Sequence, residues 1–505
     1  MSDARTVREA LAGDDDAIAF AAPDRDALTY AGLRDLVEST AEALNSRGIG
    51  RGDRVAIVLP NGPEMASAFV SIASAATTAP LNPAYREAEY DFYLADLGAK
   101  ALVVLEGSDS EAVTCAARLG IPVLELRIPA GAPAGRFELT GDGTTGAADG
   151  GWATADDVAL VLHTSGTTSR PKIVPLAHRN VCASAANIRA TLGLGADDRC
   201  MNVMPLFHIH GLMAATLAPL GAGASIYCTP GFNALRFFSW LDDARPTYYT
   251  AVPTMHQAIL TRAERNRDVI ERAALRFIRS SSSSLPPQVM AELESVFGAP
   301  VVEAYAMTEA SHQMTCNPLP PGERKPGTVG PAAGPDVAIM NEAGALLEAG
   351  EVGEIVIRGP NVTDGYENNP TANAEAFTSG WFRTGDQGVM DAEGYVTITG
   401  RLKEIINRGG EKISPREVDD ALMDHPAIQQ IVTFAVPHER LGEEVAAACV
   451  LRDGAEATPE EIREFAGACL ASFKVPKTVL ILDEIPKGPT GKLRRIGMAE
   501  QLGLA

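Results

Sequence analysis

Residues 54 to 75, "RVAIVLPNGPEMASAFVSIASA", set a short apolar run, a Pro-Asn-Gly turn and an amphipathic helical pattern in succession. Further along, "ALVVLEG" and "IPVLEL" read as two more strands with a helix between them, and the alternation continues to about residue 400. Strands alternating with helices argue for doubly wound α/β layers. A chain of 505 residues also exceeds what one hydrophobic core normally supports, so two to four domains or subdomains are expected.

The Gly/Ala-rich segment from Pro129 to Gly151 reads as a loose connection between two such units, the second running from about Asp156 to Gly334. It contains Gly141-x-Gly143-x-x-Gly146, but no helical pattern follows the third glycine, so it is not a dinucleotide fingerprint. After Gly334, the turn formers Asn-Glu-Ala-Gly and Asp-Ala-Glu-Gly sit between strand-like runs, which predicts hairpins and a β-rich third layer. Beyond Gly400 the pattern becomes helix, strand, strand, helix, strand over about a hundred residues, a small α+β domain. The expected organisation is a large N-terminal domain, 1–400, of two doubly wound α/β subdomains plus a β-rich subdomain, and a small mobile α+β domain, 401–505. The join, "TGRLKEIINRGGEKI", is charged and contains Gly-Gly, as suits a hinge.

A formal net charge of -22 opposes non-specific binding to nucleic acid or an anionic membrane, so an anionic substrate must be captured by local donors. Seven scattered cysteines, never spaced as Cys-x-x-Cys, suggest neither a disulfide framework nor a zinc site. The acidic start does not look like a signal peptide, and "QLGLA" at the end resembles no organelle address. "MASAFVSIASAATTAPLNP" suits a packed helix better than a bilayer span. A cytoplasmic protein acting without nucleic acid or membrane is the expectation.

The densest chemical signal is "HTSGTTSRPK", His163 to Lys172, directly after the apolar run "VALVL". Small residues let the backbone curl so that several N–H groups face one concavity, and hydroxyls add donors, which together make a phosphate nest. Gly-x-x-x-x-Gly-Lys-Ser/Thr is absent, so this is not a Walker A loop. A second polar run, "RSSSSSLPP", lies between a strand-like stretch ending at Ile278 and a helical pattern after Pro286 and Pro287. Its serines read as a strand-to-helix turn, the position where α/β sheets bind ligands. Ser284 is the preferred helix cap among them.

"HTSGTTSRPK", "YAMTEA", "WFRTGD", "GRLKEIINRGGEKISPREVDDAL" and "PKGPTGKLRR" occur in that order across almost the whole chain. This ordered set resembles the acyl-adenylate-forming superfamily of acyl-CoA synthetases, 4-coumarate-CoA ligases and firefly luciferase. The resemblance implies that a carboxylate attacks the α-phosphorus of ATP to give acyl-AMP and pyrophosphate, after which a thiol, usually that of coenzyme A, displaces AMP. Two anions must first be brought together, so cations and aligned donors are required.

By this resemblance, Thr164, Ser165, Gly166, Thr167, Thr168 and Lys172 hold the β- and γ-phosphates, and Thr308 donates to the α-phosphate. Glu309 helps hold Mg²⁺, Tyr305 stacks on adenine, Asp386 accepts from the ribose hydroxyls, and Arg401 reaches the ribose from the hinge side. Lys492 contacts the attacking carboxylate and the α-phosphate, and the small domain rotates about Lys403 to bring Gly409 and Gly410 to the pantetheine tunnel. His208, in "MPLFHIHG", matches the gate between acyl pocket and tunnel, where two histidines in one Gly-terminated loop favour a lining role. Ala304, Ala306, Ser169 and Ile173 replace glycines common in the family, which narrows the backbone's approach to the nucleotide without removing a chemical group.

"RSSSSSL", "EAYAMTEASHQM" and "INRGGEKISP" look most like oxalate-CoA ligases. A pocket for a fatty or hydroxycinnamic acid would be lined by apolar residues and glycine, whereas here a serine turn faces a helix expected to carry Ser311 and His312. The resemblance assigns Ser282 and His312 to the second carboxylate of oxalate, with Ser280 or Ser284 as neighbours. A ligase for malonate or another short or aromatic acid, a protein that loads a carrier, and a non-catalytic nucleotide-binding relative are the alternatives. The implied partners are a small carboxylate, ATP, Mg²⁺ and coenzyme A, handled by a monomer or homodimer.

Overall fold

The computed structural model describes residues 4–143, 148–164, 171–487 and 493–505. Two large sheets dominate. In the seven-stranded one, the parallel strands Val123–Arg127, Ala101–Leu105, Arg54–Val58, Thr77–Pro80 and Val158–Thr164 lie side by side, with antiparallel edges Glu138–Thr140 and Lys172–Ala177. In the eight-stranded one, the parallel strands are Val301–Met307, Phe277–Ser281, Tyr248–Ala251, Arg199–Asn202, Ser225–Cys228 and Ile18–Ala21, in that order, with antiparallel edges His312–Cys316 and Leu28–Thr29.

Side-chain alternation explains why these sheets are interior. Val55 and Ile57 face a core shared with Ile226 and Phe277 of the other sheet, while Ala56 and Val58 face a separate cluster with Tyr90 and Leu94 of the helix Glu87–Leu97. Both faces are therefore dry, as continuous apolar strands require.

The boundary near residue 150 does not separate the sheets. Ile18–Ala21 and Leu28–Thr29 cross to the eight-stranded sheet, and Val158–Thr164 and Lys172–Ala177 return to the seven-stranded one. Strand pairing is non-local and leaves no mark in the local pattern that reads the strands correctly. "MASAFVSIASAATTAPLNP" likewise divides: the helix Pro63–Ala73 stops, and Thr77–Pro80 is a buried strand. Among the described residues no helix is long and apolar enough to cross a membrane.

The expected hairpins form a five-stranded antiparallel sheet from Asp336–Met340, Val352–Arg358, Phe377–Thr378, Trp381–Met390 and Val396–Arg401. Sheet membership changes between Arg401 and Ile406. The remaining strands, Ile406–Arg408, Glu411–Ile413, Ile428–His438, Gly442–Leu451 and Thr478–Ile481, form a last sheet. Its helices begin where their caps dictate, Ser414 accepting from Glu417 N and Thr458 forming a reciprocal box with Glu461.

The serine run resolves into separate environments. Ser280 and Ser281 finish the buried strand, Ser282 turns the chain at φ 76°, and Ser283 is exposed. Ser284 is not the cap: the helix Pro287–Phe297 has Pro286 at that position and no side-chain capping bond. Proline at the first helical position has already removed one orphan N–H. Ser284→Ala is therefore expected to change unfolding free energy by less than about 0.5 kcal/mol in urea denaturation, whereas losing a genuine cap costs about 1 kcal/mol.

Candidate active site

In the eight-stranded sheet the chain goes from Arg199–Asn202 to a neighbour on one side, Ser225–Cys228, and then to Tyr248–Ala251 on the other. Connections leaving such adjacent strands diverge and open a crevice at the strands' carboxyl ends. The loop after Asn202 runs into the short helix Ile209–Leu212, and so delivers His208 and His210 to that crevice. His208 sits at the helix N-cap, half-buried, with Nδ1 accepting from His210 N at 3.3 Å.

Register supplies the floor. Thr250 pairs with Arg279 in neighbouring parallel strands, so both side chains leave the same sheet face. His210 lies against them, with Nε2 2.6 Å from Thr250 Oγ1 and Nδ1 3.0 Å from Ser282 Oγ. His312 stacks on His210, with ring centroids 4.9 Å apart. Arg279 is fully buried, its Nη1 3.2 Å from His312 Nε2 and 3.4 Å from His210 Nε2, while Nη2 donates to Gln313 Oε1 at 3.2 Å. Arg279 forms no salt bridge among the described residues, and its Nε has no hydrogen-bond partner there. A cation sealed from water without a carboxylate is costly, and burial pulls its pKa down.

Expectation and structure differ after Glu309. Thr308–Ala310 is a single 3-10 turn, and Ser311 and His312 follow with φ of 49° and 104° before the strand His312–Cys316. The polar residues come from this kinked turn, because left-handed backbone ends a helix. Three of the seven non-glycine residues with positive φ among the described residues, Ser282, Ser311 and His312, therefore lie in this cluster. Strained backbone of this kind costs about 1–3 kcal/mol per residue and concentrates where ligands are held. Ser280 Oγ and Ser311 Oγ are buried without a hydrogen-bond partner among the described residues. Glu303 braces the serine turn by accepting from Leu285 N at 2.8 Å, and burial pushes its pKa up to about 7.

A second polar cluster forms where three sheets meet. Val301–Met307 delivers Tyr305 and leads into Thr308 and Glu309, Lys172 opens an edge strand of the seven-stranded sheet, and Asp386 and Arg401 come from the antiparallel sheet. Tyr305 hydroxyl donates to Asp386 Oδ2, and Arg401 Nε lies 3.3 Å from Asp386 Oδ1. Burial raises the Asp386 pKa, with Arg401 opposing the shift. Glu309 Oε1 accepts from Tyr366 hydroxyl at 2.8 Å, and Lys172 Nζ lies 4.3 Å over the Tyr366 ring. One tyrosine thus touches a buried carboxylate through its hydroxyl and an ammonium through its ring face. Thr308 is half-buried beside them.

Among the described residues no group of three or more His, Cys, Asp or Glu side chains could cage a metal ion. Mg²⁺ needs no such cage, since it keeps waters and takes phosphate oxygens beside one or two carboxylates. Glu309 fits that requirement.

Lys403 is exposed, and Gly409 and Gly410, with φ of 61° and 98°, form the two-residue turn between Ile406–Arg408 and Glu411–Ile413. Such a turn favours glycine by itself. Ser165, Gly166, Thr167, Thr168 and Lys492 lie outside the described residues, although Thr164 and Lys172 pair across the base of the first loop. Sequence reasoning passed over Arg279, Thr250 and Tyr366. Of these only Arg279 left a signal, a charge directly after the apolar pair Phe277-Ile278 of a strand-like run.

One cluster can hold a nucleotide and the other a small anion, the division of labour of an adenylate-forming ligase. The chain belongs to the AMP-binding enzyme family: the family's description matches residues 7–367, and that of the AMP-binding enzyme C-terminal domain matches residues 417–492. The oxalate-CoA ligase of Arabidopsis thaliana is 47% identical to it over 474 residues, 93% of this chain and 92% of that one. The oxalate-CoA ligase of Saccharomyces cerevisiae is 44% identical over 479 residues, 89% and 87% of the two chains. Among solved structures, ATP-bound MatB from Rhodopseudomonas palustris superposes with a TM-score of 0.88 at 30% identity, over 98% of each chain. CoA ligases of this family use ATP, Mg²⁺ and coenzyme A, and make acyl-CoA through acyl-AMP.

Proposed function

We propose that this protein joins oxalate to coenzyme A. One carboxylate oxygen of oxalate attacks the α-phosphorus of ATP and pyrophosphate leaves, and the thiol of coenzyme A then displaces AMP from oxalyl-AMP, losing its proton. The observation that carries this reading is the buried Arg279 without a carboxylate, set under Ser282, His210 and His312. Such a floor suits a second carboxylate, whereas a fatty or aromatic acid calls for apolar lining.

In this reading Ser282 and His312 face the distal carboxylate, and His208 lines the passage between acyl pocket and thiol. Tyr305, Asp386 and Arg401 take adenine and ribose, while Thr308, Lys172 and the Thr164–Thr168 loop take phosphates. Mg²⁺, when bound beside Glu309, neutralises charge on the departing pyrophosphate. Residues 1–400 bind nucleotide and carboxylate, and 401–505 turn about Lys403 to exchange Lys492 for the Gly409–Gly410 turn. A cytoplasmic monomer or homodimer acting without nucleic acid or membrane completes the proposal, supported by the charge of -22 and by seven free thiols, six of them buried.

A coupled assay for AMP and acyl-CoA with oxalate, malonate, acetate and coumarate tests this. Oxalate is expected to react best, and an inert oxalate beside a well-used aromatic or longer acid would reject the reading. His312→Ala is expected to lower kcat/KM for oxalate by about 10²-fold while leaving KM for ATP nearly unchanged. Equal loss of both would make His312 a structural residue.

A further inference from the structure

The cluster beneath the serine turn carries information about protons as well as charge. Arginine has N–H donors only, accepts nothing and does not give up its proton in proteins. A ring nitrogen facing it must therefore present a lone pair. Nη1 carries two protons, and two imidazole nitrogens lie within reach, His312 Nε2 at 3.2 Å and His210 Nε2 at 3.4 Å. Thr250 hydroxyl, 2.6 Å from the same His210 nitrogen, is the nearer donor and shares that nitrogen's one lone pair with the guanidinium. Neither ring is an imidazolium, since a second cation would sit against a guanidinium that burial already destabilises.

Both histidines are thereby neutral, with the proton on Nδ1. For His210 that proton points at Ser282 Oγ, 3.0 Å away. Ser282 accepts this bond through oxygen, which leaves its own O–H to be donated. We propose that Arg279 is a positioning residue that sets the Nδ1–H tautomer of His210 and His312, making Ser282 and His312 donors and so selecting an acid whose second group is a carboxylate. This rests on the oxalate reading for the identity of the acid, and on the contacts and charge of Arg279 for the tautomers. Oxamate tests the selection, because it replaces one carboxylate oxygen of oxalate by NH₂ with little change of size and puts a donor where the site also offers one.

The experiment has two readouts. Long-range ¹H–¹⁵N spectra of ¹⁵N-histidine protein, assigned with His210→Asn and His312→Gln, are expected to show both rings as Nδ1–H before any substrate is added. In Arg279→Gln the preference for oxalate over oxamate is expected to fall about 10²-fold, with KM for ATP nearly unchanged and at least one ring changing tautomer. Arg279→Lys keeps the charge without the two-pronged donor and is expected to recover only part of the preference. An Nε2–H or doubly protonated ring in the parent protein overturns the proposal whether or not a variant folds. So does an Arg279→Gln protein that keeps both tautomers and the full preference. A parent protein with both rings as Nδ1–H that does not use oxalate removes the substrate reading and leaves the tautomer assignment standing.

Discussion

Lys492→Ala is expected to slow formation of the acyl-adenylate by ~10²-fold or more while sparing thioester formation from supplied acyl-AMP. Carboxylate and α-phosphate repel as they approach, and a compact ammonium between them offsets that repulsion only during the first half-reaction. Lys492 itself lies outside the described residues, but the chain on either side is tied down. Lys487 bridges Leu493, Arg495 pairs with Asp419, and Glu404 lies 3.5 Å from Arg495 Nη1. Burial raises the Asp419 pKa to about 6 despite that pairing. Pyrophosphate exchange reads the first half-reaction, and CoA-dependent consumption of synthetic oxalyl-AMP reads the second. Equal loss in both would mean that the lysine holds the small domain together rather than acting on the first transition state.

Glu309→Gln is expected to lower kcat for adenylation by about 10²-fold and to raise the Mg²⁺ concentration needed for half-maximal rate. Glutamine keeps the size of the side chain and can still accept from the Tyr366 hydroxyl, 2.8 Å from Oε1. Only the charge is removed, so thermal stability should hardly change. Burial raises the pKa of Glu309. The ionised form is the one that holds a cation, so activity should rise with pH along a limb above the ordinary glutamate range, and the glutamine variant should lose that limb. Tyr366→Phe is the control: it leaves the carboxylate but removes a hydrogen bond worth about 1 kcal/mol. A glutamine variant with the parent's Mg²⁺ dependence would place the metal elsewhere.

The particular residues show how far a linear reading reaches. Tyr305, Thr308, Glu309 and Asp386 lie in short runs whose chemistry is carried by neighbours in the chain, and the structure brings all four to one junction with Lys172 and Arg401. Ser282 was legible as a turn residue, yet its hydroxyl's partner, His210, stands 72 residues away. Ser284 misled because a serine near a helix start resembles a cap, whereas Pro286 and Pro287 had already settled where that helix begins. Ser311 and His312 misled differently, since the helix expected to carry them is replaced by two residues with positive φ.

From its sequence alone the chain determined most of its elements, that strands alternate with helices, and which groups the chemistry requires, because periodicity and short motifs act over a few residues. Three matters were decided only in three dimensions: the exchange of edge strands between the two large sheets, the meeting of three sheets at Glu309 and Asp386, and the burial of Arg279 under two stacked histidines. Each depends on which distant segments pair and in what register. A charge in a strand becomes a buried cation only when neighbours cover both faces of the sheet, and no local pattern states which neighbours those are.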